Sequence, residues 1–430
     1  MDTEIDGRDA TPPANLGRGT RQTGVRLYNE RLVLSLVRHH RALPKADIAR
    51  LTGLSPPTVS AIVHQLEADG LLLRHAPQRG RVGQPSVPVS LNPEGAFSIG
   101  VKIGRRRSEV VLMDFVGAVR AELHRTYLYP EPASLLAFIT EACERLGASL
   151  PATLRERIAG LGLALPGELW NWEEEVGSPP GAMQGWKGID FAADVGRGTD
   201  LPVFSCNDAT AACAAELLFG RAGRHPEMLY VFVAWFIGGG IVIDGHLFPG
   251  RTGYAGSIGQ ILVPDSGDAP ACRPLLHVAS MYLLERAVTA GGGDASPIWE
   301  SPDDWSSIDD YLGPWIERGA DGIAHAVVDA LAVIDFEVAV IDGALPAGVR
   351  RRIVEATRAR LGRLDTKGLQ PILVAEGSIG NGARAIGAAA LPLLAKFMRD
   401  RELLFRTPLE ARAAASDPPA VLRPPLIAPS

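Results

Sequence analysis

The sequence predicts two kinds of fold in one chain: a short helical N-terminal domain closed by a hairpin, then a long α/β domain. Three observations carry this. Residues 21–75 have compact helical spacing, and residues 76–95 form a Gly/Pro/Arg stretch. From residue 97 short β-rich runs alternate with Ala/Leu-rich helical runs. At 430 residues the chain exceeds one ordinary domain. The net charge of −6 does not by itself announce a nucleic-acid partner, but phosphate contact needs only a local basic face.

In the N-terminal part, NERLVLSLVRHH places Leu32, Val33 and Leu36 on one helical face. Ala46, Ile48, Ala49 and Leu51 make a second, short amphipathic helix, and Gly53 follows where a tight turn needs positive φ. Ser55 suits an N-cap, and Pro56 and Pro57 suit a first helical turn, where a missing N–H does no harm. Val59, Ile62, Val63 and Leu66 then line the inner face of a third helix, leaving Thr58, Ser60, Ala61, His64 and Gln65 outward. A helix, a short turn and a helix, followed by a hairpin carrying Arg74, Arg79 and Arg81, is the pattern of a winged helix-turn-helix. It implies binding to double-stranded DNA, with Ser55 and the outward residues at the major groove and the arginines on phosphate or in the minor groove. An ordinary three-helix packing unit is the alternative.

Further on, FSIGVKIG, RSEVVLMDF, IAGLGLALPG, LPVFSCND, MLYVFVAWF, GGIVIDG, VAVIDGAL and PILVAEGSIG read as strands. PASLLAFITEACERLGASL, ATAACAAELLFG and IAHAVVDALAVI read as helices, and residues 290–318 as a loop with a short helix. Residues 1–20 and 408–430 read as loose tails. The expected domains are 21–92 and 96–400. The four cysteines are scattered without a CxxC pair, no charged-then-apolar leader opens the sequence, and no apolar run reaches about 18 residues, so a reducing cytoplasm is expected and a membrane is not.

The collinear order of DIARLTGLSPPTVSAIVHQLEADGLL, RGRVGQPSVPVSLNP, IGVKIG, GLGLALPGEL, GWKGID, LPVFSCNDATAACAAELLFG, IGGGIVIDG and VAEGSIGNGARAIGAAALPL resembles the repressor branch of the ROK family (repressors, open reading frames and sugar kinases) over residues 25–395. The resemblance implies a two-lobed, actin-like, ribonuclease-H-like sugar-kinase fold with lobes at ~96–210 and ~211–400 and the last helix crossing back. It also implies an effector in the interlobe cleft and a homodimer or tetramer on a two-fold operator. Asn207 and Asp208 match the family's sugar-binding pair; the alternative is that they cap the helix that follows. Trp186 matches an aromatic before a lobe helix, either a cleft wall or a core plug.

Departures from the family pattern bear on chemistry. The first phosphate turn reads KIGRRRS, with Lys102 where the kinases carry a metal-associated Asp and Arg105, Arg106 and Arg107 in place of small residues. Phosphoryl transfer needs a phosphate cradle, a metal and a base; only the base, Asp208, is kept, so the chain is not expected to be an enzyme. The family's Gly-Glu-x-Gly-His turn is GSIGQ, placing Ser257 and Gln260 at the Glu and His, and Leu276 falls at a second Glu. With Cys272 as the only thiol nearby, the family zinc is expected to be absent; His277 lies off the ligand spacing. Asn207, Asp208, Ser257, Gln260 and Trp186 remain as effector contacts. The expected function is a sugar-responsive transcription regulator. The alternatives are a sugar kinase with an N-terminal accessory module and a ligand-blind DNA-binding regulator.

Overall fold

Two covalently joined units make up the chain in the computed structural model, which describes residues 22–77, 87–265, 272–301 and 303–398. Residues 22–92 with 396–398 form one unit and 93–395 the other. Both tails and the middle of the hairpin, Arg79 and Arg81 included, lie outside the described residues. No helix among the described residues is long and apolar enough to cross a membrane.

In the first unit α1 (Gln22–His40) is followed by β1 (Ala42–Pro44), α2 (Lys45–Thr52), α3 (Pro56–Ala68), β2 (Leu72–Arg74) and β3 (Pro88–Leu91). The strands form one antiparallel sheet in the order β1-β3-β2. The buried stripe of α1 is Val33, Leu34 and Val37, whereas Leu32 and Leu36 are only half-buried. The expected face is therefore turned by about one position. A second packing surface accounts for this: Arg31 Nη1 donates to Met398 O at 3.4 Å and Ser35 Oγ to Met398 Sδ at 3.6 Å, so residues 396–398 cover the neighbouring flank.

The second unit opens with β4 (Phe97–Ile103), β5 (Arg107–Asp114), β6 (Val119–Thr126), α4 (Pro132–Ala148), α5 (Ala152–Arg155), β7 (Ile158–Leu165), α6 (Glu173–Val176), α7 (Phe191–Thr199) and β8 (Val203–Asn207). Next come α8 (Asp208–Phe219), β9 (Met228–Val233), β10 (Gly238–Ile243), β11 (His246–Leu247), β12 (Leu262–Pro264) and β13 (Cys272–Pro274). The chain then runs through α9 (Leu276–Ala279), α10 (Met281–Ala290), α11 (Pro297–Glu300), α12 (Asp309–Leu331), β14 (Val338–Gly343), α13 (Ala347–Leu361), β15 (Leu373–Glu376) and α14 (Ala383–Phe397).

Its two five-stranded sheets repeat one topology. In β6-β5-β4-β7-β8 and in β11-β10-β9-β14-β15, an antiparallel meander is followed by two parallel strands added beside its first strand. The central strands β4, β9 and β14 are buried along their whole length, which is why they read as unbroken apolar runs. All eight expected strands form. The edge strand β6, VRAELHRT, escaped the sequence reading because its mostly exposed surface carries charge instead of an apolar alternation. Residues 290–318 are more helical than expected: α12 begins at Asp309 and carries Pro314 inside it.

The last helix, α14, lies across the first lobe's sheet. A Cβ at Gly162 would overlap the carbonyl of Ala388, and one at Gly387 the carbonyl of Ala211 on α8. Backbones therefore meet there with no side chain between them, which only glycine permits. This packing brings the first turn of α14 to the ends of β4 and β8, where the candidate cleft lies.

Candidate nucleic-acid interface and ligand cleft

The turn between α2 and α3 is built by local chemistry. Gly53 ends α2 with φ +71, and its N–H donates to Ala49 O at 2.9 Å. Ser55 is the N-cap of α3: its Oγ accepts from Thr58 N at 3.3 Å and lies 2.8 Å from Thr58 Oγ1, and Pro56 and Pro57 occupy the first helical positions. Val59, Ile62, Val63 and Leu66 are buried, while Ser55, Thr58, Ser60, Ala61, His64 and Gln65 are all exposed. In α2 only Ile48 is buried. Leu51, expected on the inner face, is exposed.

Within that outward set, Ser55 and Thr58 hold each other and Gln65 Nε2 donates to Asp69 Oδ1 at 2.9 Å. Ser60, Ala61 and His64 are left as the unengaged face. Arg74, at the end of β2, is tied to α3 by two bonds to Glu67, Nε–Oε1 at 3.0 Å and Nη2–Oε2 at 2.7 Å. Its hydrogen bonds hold the Glu67 carboxyl below the ordinary range. Arg74 therefore fixes the start of the hairpin against the helix while its side chain stays more than half exposed.

In the second unit Asn207 ends β8 and caps α8, its side chain accepting from Ala209 N at 3.0 Å. Asp208 Oδ1 accepts from the same N–H at 3.0 Å, and Arg384 Nη1, from α14, lies 3.2 Å from Asp208 Oδ2. Capping is thus realised, and it aims both polar groups past the strand end.

Beside them stands the β4–β5 turn. Lys102, at the end of β4, is buried and folds its ammonium over Gly104 to donate to Arg107 O at 3.2 Å, with Glu109 3.7 Å away. Burial, with Arg384 nearby, lowers its pKa to about 8. Arg105 crosses to the second lobe, its guanidinium 3.6 Å from the Trp235 ring centre and Nη1 3.1 Å from Glu285 Oε2. Arg106 lies over Trp299. A phosphate cradle with bound magnesium does not fit this turn, because an ammonium fills it and arginine side chains cover it. Trp172 and Phe236 make a further seam, ring centres 4.4 Å apart.

Gly238, Gly239 and Gly240 start β10. A side chain at Gly238 or Gly240 would strike Ala209 or Cys213 of α8, and one at Gly239 would strike Gly256 and Ile258. The glycines thus let α8 and the 256–258 turn approach the strand from its two faces. Ser257 and Gln260 are both exposed on that turn, and Ser257 Oγ donates to Tyr254 O at 2.7 Å.

Trp186 lies in the first lobe's core, its Nε1 donating to Pro130 O at 2.8 Å and its ring against Phe191. Leu276 is buried, and His277 Nδ1 is 2.7 Å from Tyr282 Oη. Among the described residues no three His, Cys, Asp or Glu side chains cluster to hold a metal. Arg318 and Arg273 close on Asp265, which follows β12, at 2.9 and 3.4 Å. Sequence reading missed Arg384, Trp235 and Glu285; the first sits in the noted NGARAIG run, but nothing local pairs it with Asp208.

The sequence profile of the MarR family matches residues 28–81, from within α1 past β2. The xylose repressor of Bacillus subtilis (strain 168) is 25% identical over 251 residues, 58% of this chain and 64% of its own length, so the chain spans under two thirds of that relative. Among solved structures, a ROK family transcriptional regulator described as a homolog of the E. coli MLC protein superposes with TM-score 0.61 at 20% identity, covering 86% of this chain and 96% of its own. A ROK family glucokinase from Streptomyces griseus, in complex with glucose and AMPPNP, superposes with TM-score 0.52 at 20% identity over 69% of this chain and 99% of its own. These two likenesses establish the shared fold: a winged helix-turn-helix ahead of a two-lobed sugar-kinase-like domain. The ROK family profile itself matches residues 98–394, over two thirds of the chain, and the chain belongs to the ROK family.

Proposed function

We propose that this chain is a sequence-specific DNA-binding transcription regulator, a repressor of genes of carbohydrate use, whose hold on its operator is set by a small sugar-like effector in the interlobe cleft. The observation that carries the reading is the Ser55-capped helix α3, with a buried apolar face and an exposed polar one, set against a hairpin in front of a ROK domain. The proposed domains are 21–92 for DNA and 96–400 for effector binding and oligomerisation. It acts in the cytoplasm as a homodimer or tetramer, so that two α3 helices read two half-sites. Ser55, Thr58, Ser60, Ala61, His64 and Gln65 face the major groove, and Arg74, Arg79 and Arg81 the backbone. Asn207 and Asp208, with Ser257 and Gln260, contact the effector; Trp186, buried in the first lobe's core, is not among these contacts. The relatives named as repressors support this reading. Purified protein should shift DNA from its own upstream region, with affinity falling steeply as salt rises. No shift at low salt for any neighbouring promoter defeats the proposal.

The chain is proposed not to be an enzyme. Asp208 alone favours a kinase, and its carboxylate is already engaged by Arg384 and the Ala209 N–H. ADP release driven by a hexose, and abolished in Asp208→Asn, would establish the kinase instead.

A further inference from the structure

At the base of the cleft two cations from opposite ends of the sequence are held out of water with most of their donors unused. Lys102 is 8% and Arg384 13% exposed at the side chain. An ammonium carries three N–H donors and a guanidinium five. Among the described residues Lys102 makes one hydrogen bond, to Arg107 O, and Arg384 one, to Asp208 Oδ2. Arg384 Nε is buried without a partner. Buried donors without acceptors are costly, and buried cations more so.

The surrounding charge does not balance them. Arg107 and Glu109 face Lys102 from β5, Asp208 from α8 and Arg384 from α14, with the neutral Tyr127 hydroxyl at Gly104. Glu109 is engaged by Arg107 at 3.0 Å, and Asp208 by Arg384 and the Ala209 N–H. Three cations thus face two carboxylates. Meanwhile Ser257 and Gln260 add no negative charge on the neighbouring turn. A neutral sugar offers hydroxyls, which would leave this excess uncompensated. A carboxylate or phosphate supplies both acceptors and charge.

We infer that the effector is an acidic sugar, bearing a carboxylate or a phosphate that Lys102 and Arg384 bind beside Asn207–Asp208. This rests on reading the cleft as the effector site. It adds the ligand's charge, which that reading leaves open. The Lys102 ammonium is near half-ionised at pH 8, so binding of the acid weakens as pH rises from 7 to 9.

The test is calorimetry on the full chain with matched sets: glucose, glucuronate and glucose 6-phosphate, and the corresponding galactose and mannose sets, with inorganic phosphate as the anion alone. The uronate and phosphate arms tell the two acids apart. At least one acidic sugar should bind tenfold or more tighter than its neutral parent and tighter than inorganic phosphate. Lys102→Met and Arg384→Lys should each cut that preference at least fivefold while circular dichroism and DNA shift stay unchanged. Neutral parents binding as tightly as their acids, a preference untouched in both variants, or no binding by any member overturns the inference. Calorimetry needs no DNA, so a failed DNA shift with preserved acid binding would defeat the regulator reading alone.

Discussion

Arg105 joins the two lobes through Trp235: its guanidinium lies 3.6 Å from the ring centre and its Nη1 3.1 Å from Glu285 Oε2. Arg105 comes from the β4–β5 turn and Trp235 from just after β9. One arginine therefore ties the β4–β5 turn of the first lobe to Trp235 and Glu285 of the second. Stacking of a desolvated guanidinium on Trp contributes about 2 kcal/mol. Removing it also strands Glu285, whose pKa burial already pushes upward.

Arg105→Ala should therefore lower stability by about 2–4 kcal/mol in urea melts and increase exposure of the Trp235 seam to a fluorescence quencher. Arg105→Lys, which keeps the charge but not the planar stack, should fall between wild type and alanine. Equal melting of Arg105→Ala and wild type would show that the seam is held elsewhere, for instance by Trp172 and Phe236.

A buried lysine costs stability. The Lys102 pKa falls from 10.5 to about 8 in the folded protein, so between those values the unfolded chain holds a proton that the native one has released. Stability then rises with pH through that window, by roughly 3 kcal/mol at most. Lys102→Met should stabilise the protein at pH 7 by about 1–3 kcal/mol and abolish that rise, as measured by urea melts at pH 7.5 and 10. Destabilisation by this change would mean that Lys102 is a structural ion-pair partner of Glu109 and contributes net stability.

The parts legible in the sequence are those fixed within a few residues. Gly53, Ser55, Pro56 and Pro57 announce the turn and cap because each acts on backbone groups within three positions of itself. The Asp208–Arg384 pair spans 176 positions. It exists because Gly162 and Gly387 let α14 lie flush against the sheet and α8, which no periodicity reveals. Trp186 illustrates a different limit: an aromatic beside a cleft and one plugging a core share the same local pattern, and only the Pro130 carbonyl above its N–H decides between them. Arg74 was legible as a basic hairpin residue, but its pairing with Glu67 needed the hairpin folded back on α3.

The β12–β13 hairpin offers a test of an ion-pair clasp in place of a metal. Asp265 accepts from Arg318 Nε and Nη2 at 3.1 and 2.9 Å, which holds its carboxyl below the usual range. A carboxylate so held stabilises the fold above its unfolded pKa and loses that contribution as pH falls through its folded value. Asp265→Asn should cost about 1–3 kcal/mol at pH 7, and the gap from wild type should close below about pH 4. Chelators should leave the melting temperature of both proteins unchanged; a fall in wild type alone would reveal a bound metal.

On the DNA side the hydrogen bonds within α3 separate two kinds of residue. Ser55 and Thr58 are spent on the cap, so Ser55→Ala should act through folding, costing about 1 kcal/mol of stability and weakening all DNA sequences alike. Ser60 and His64 have no such duty. Their replacement by alanine should leave melting unchanged and reduce binding to the specific site by about 1–3 kcal/mol each, with little effect on random DNA. Arg74→Ala should weaken every sequence, since it removes both a cation near the backbone and the Glu67 clasp that sets the hairpin. Fluorescence anisotropy with specific and scrambled duplexes separates these outcomes. If His64→Ala and Ser60→Ala weakened both duplexes equally, α3 would be touching phosphate and not base edges, and sequence reading would have to reside in the hairpin.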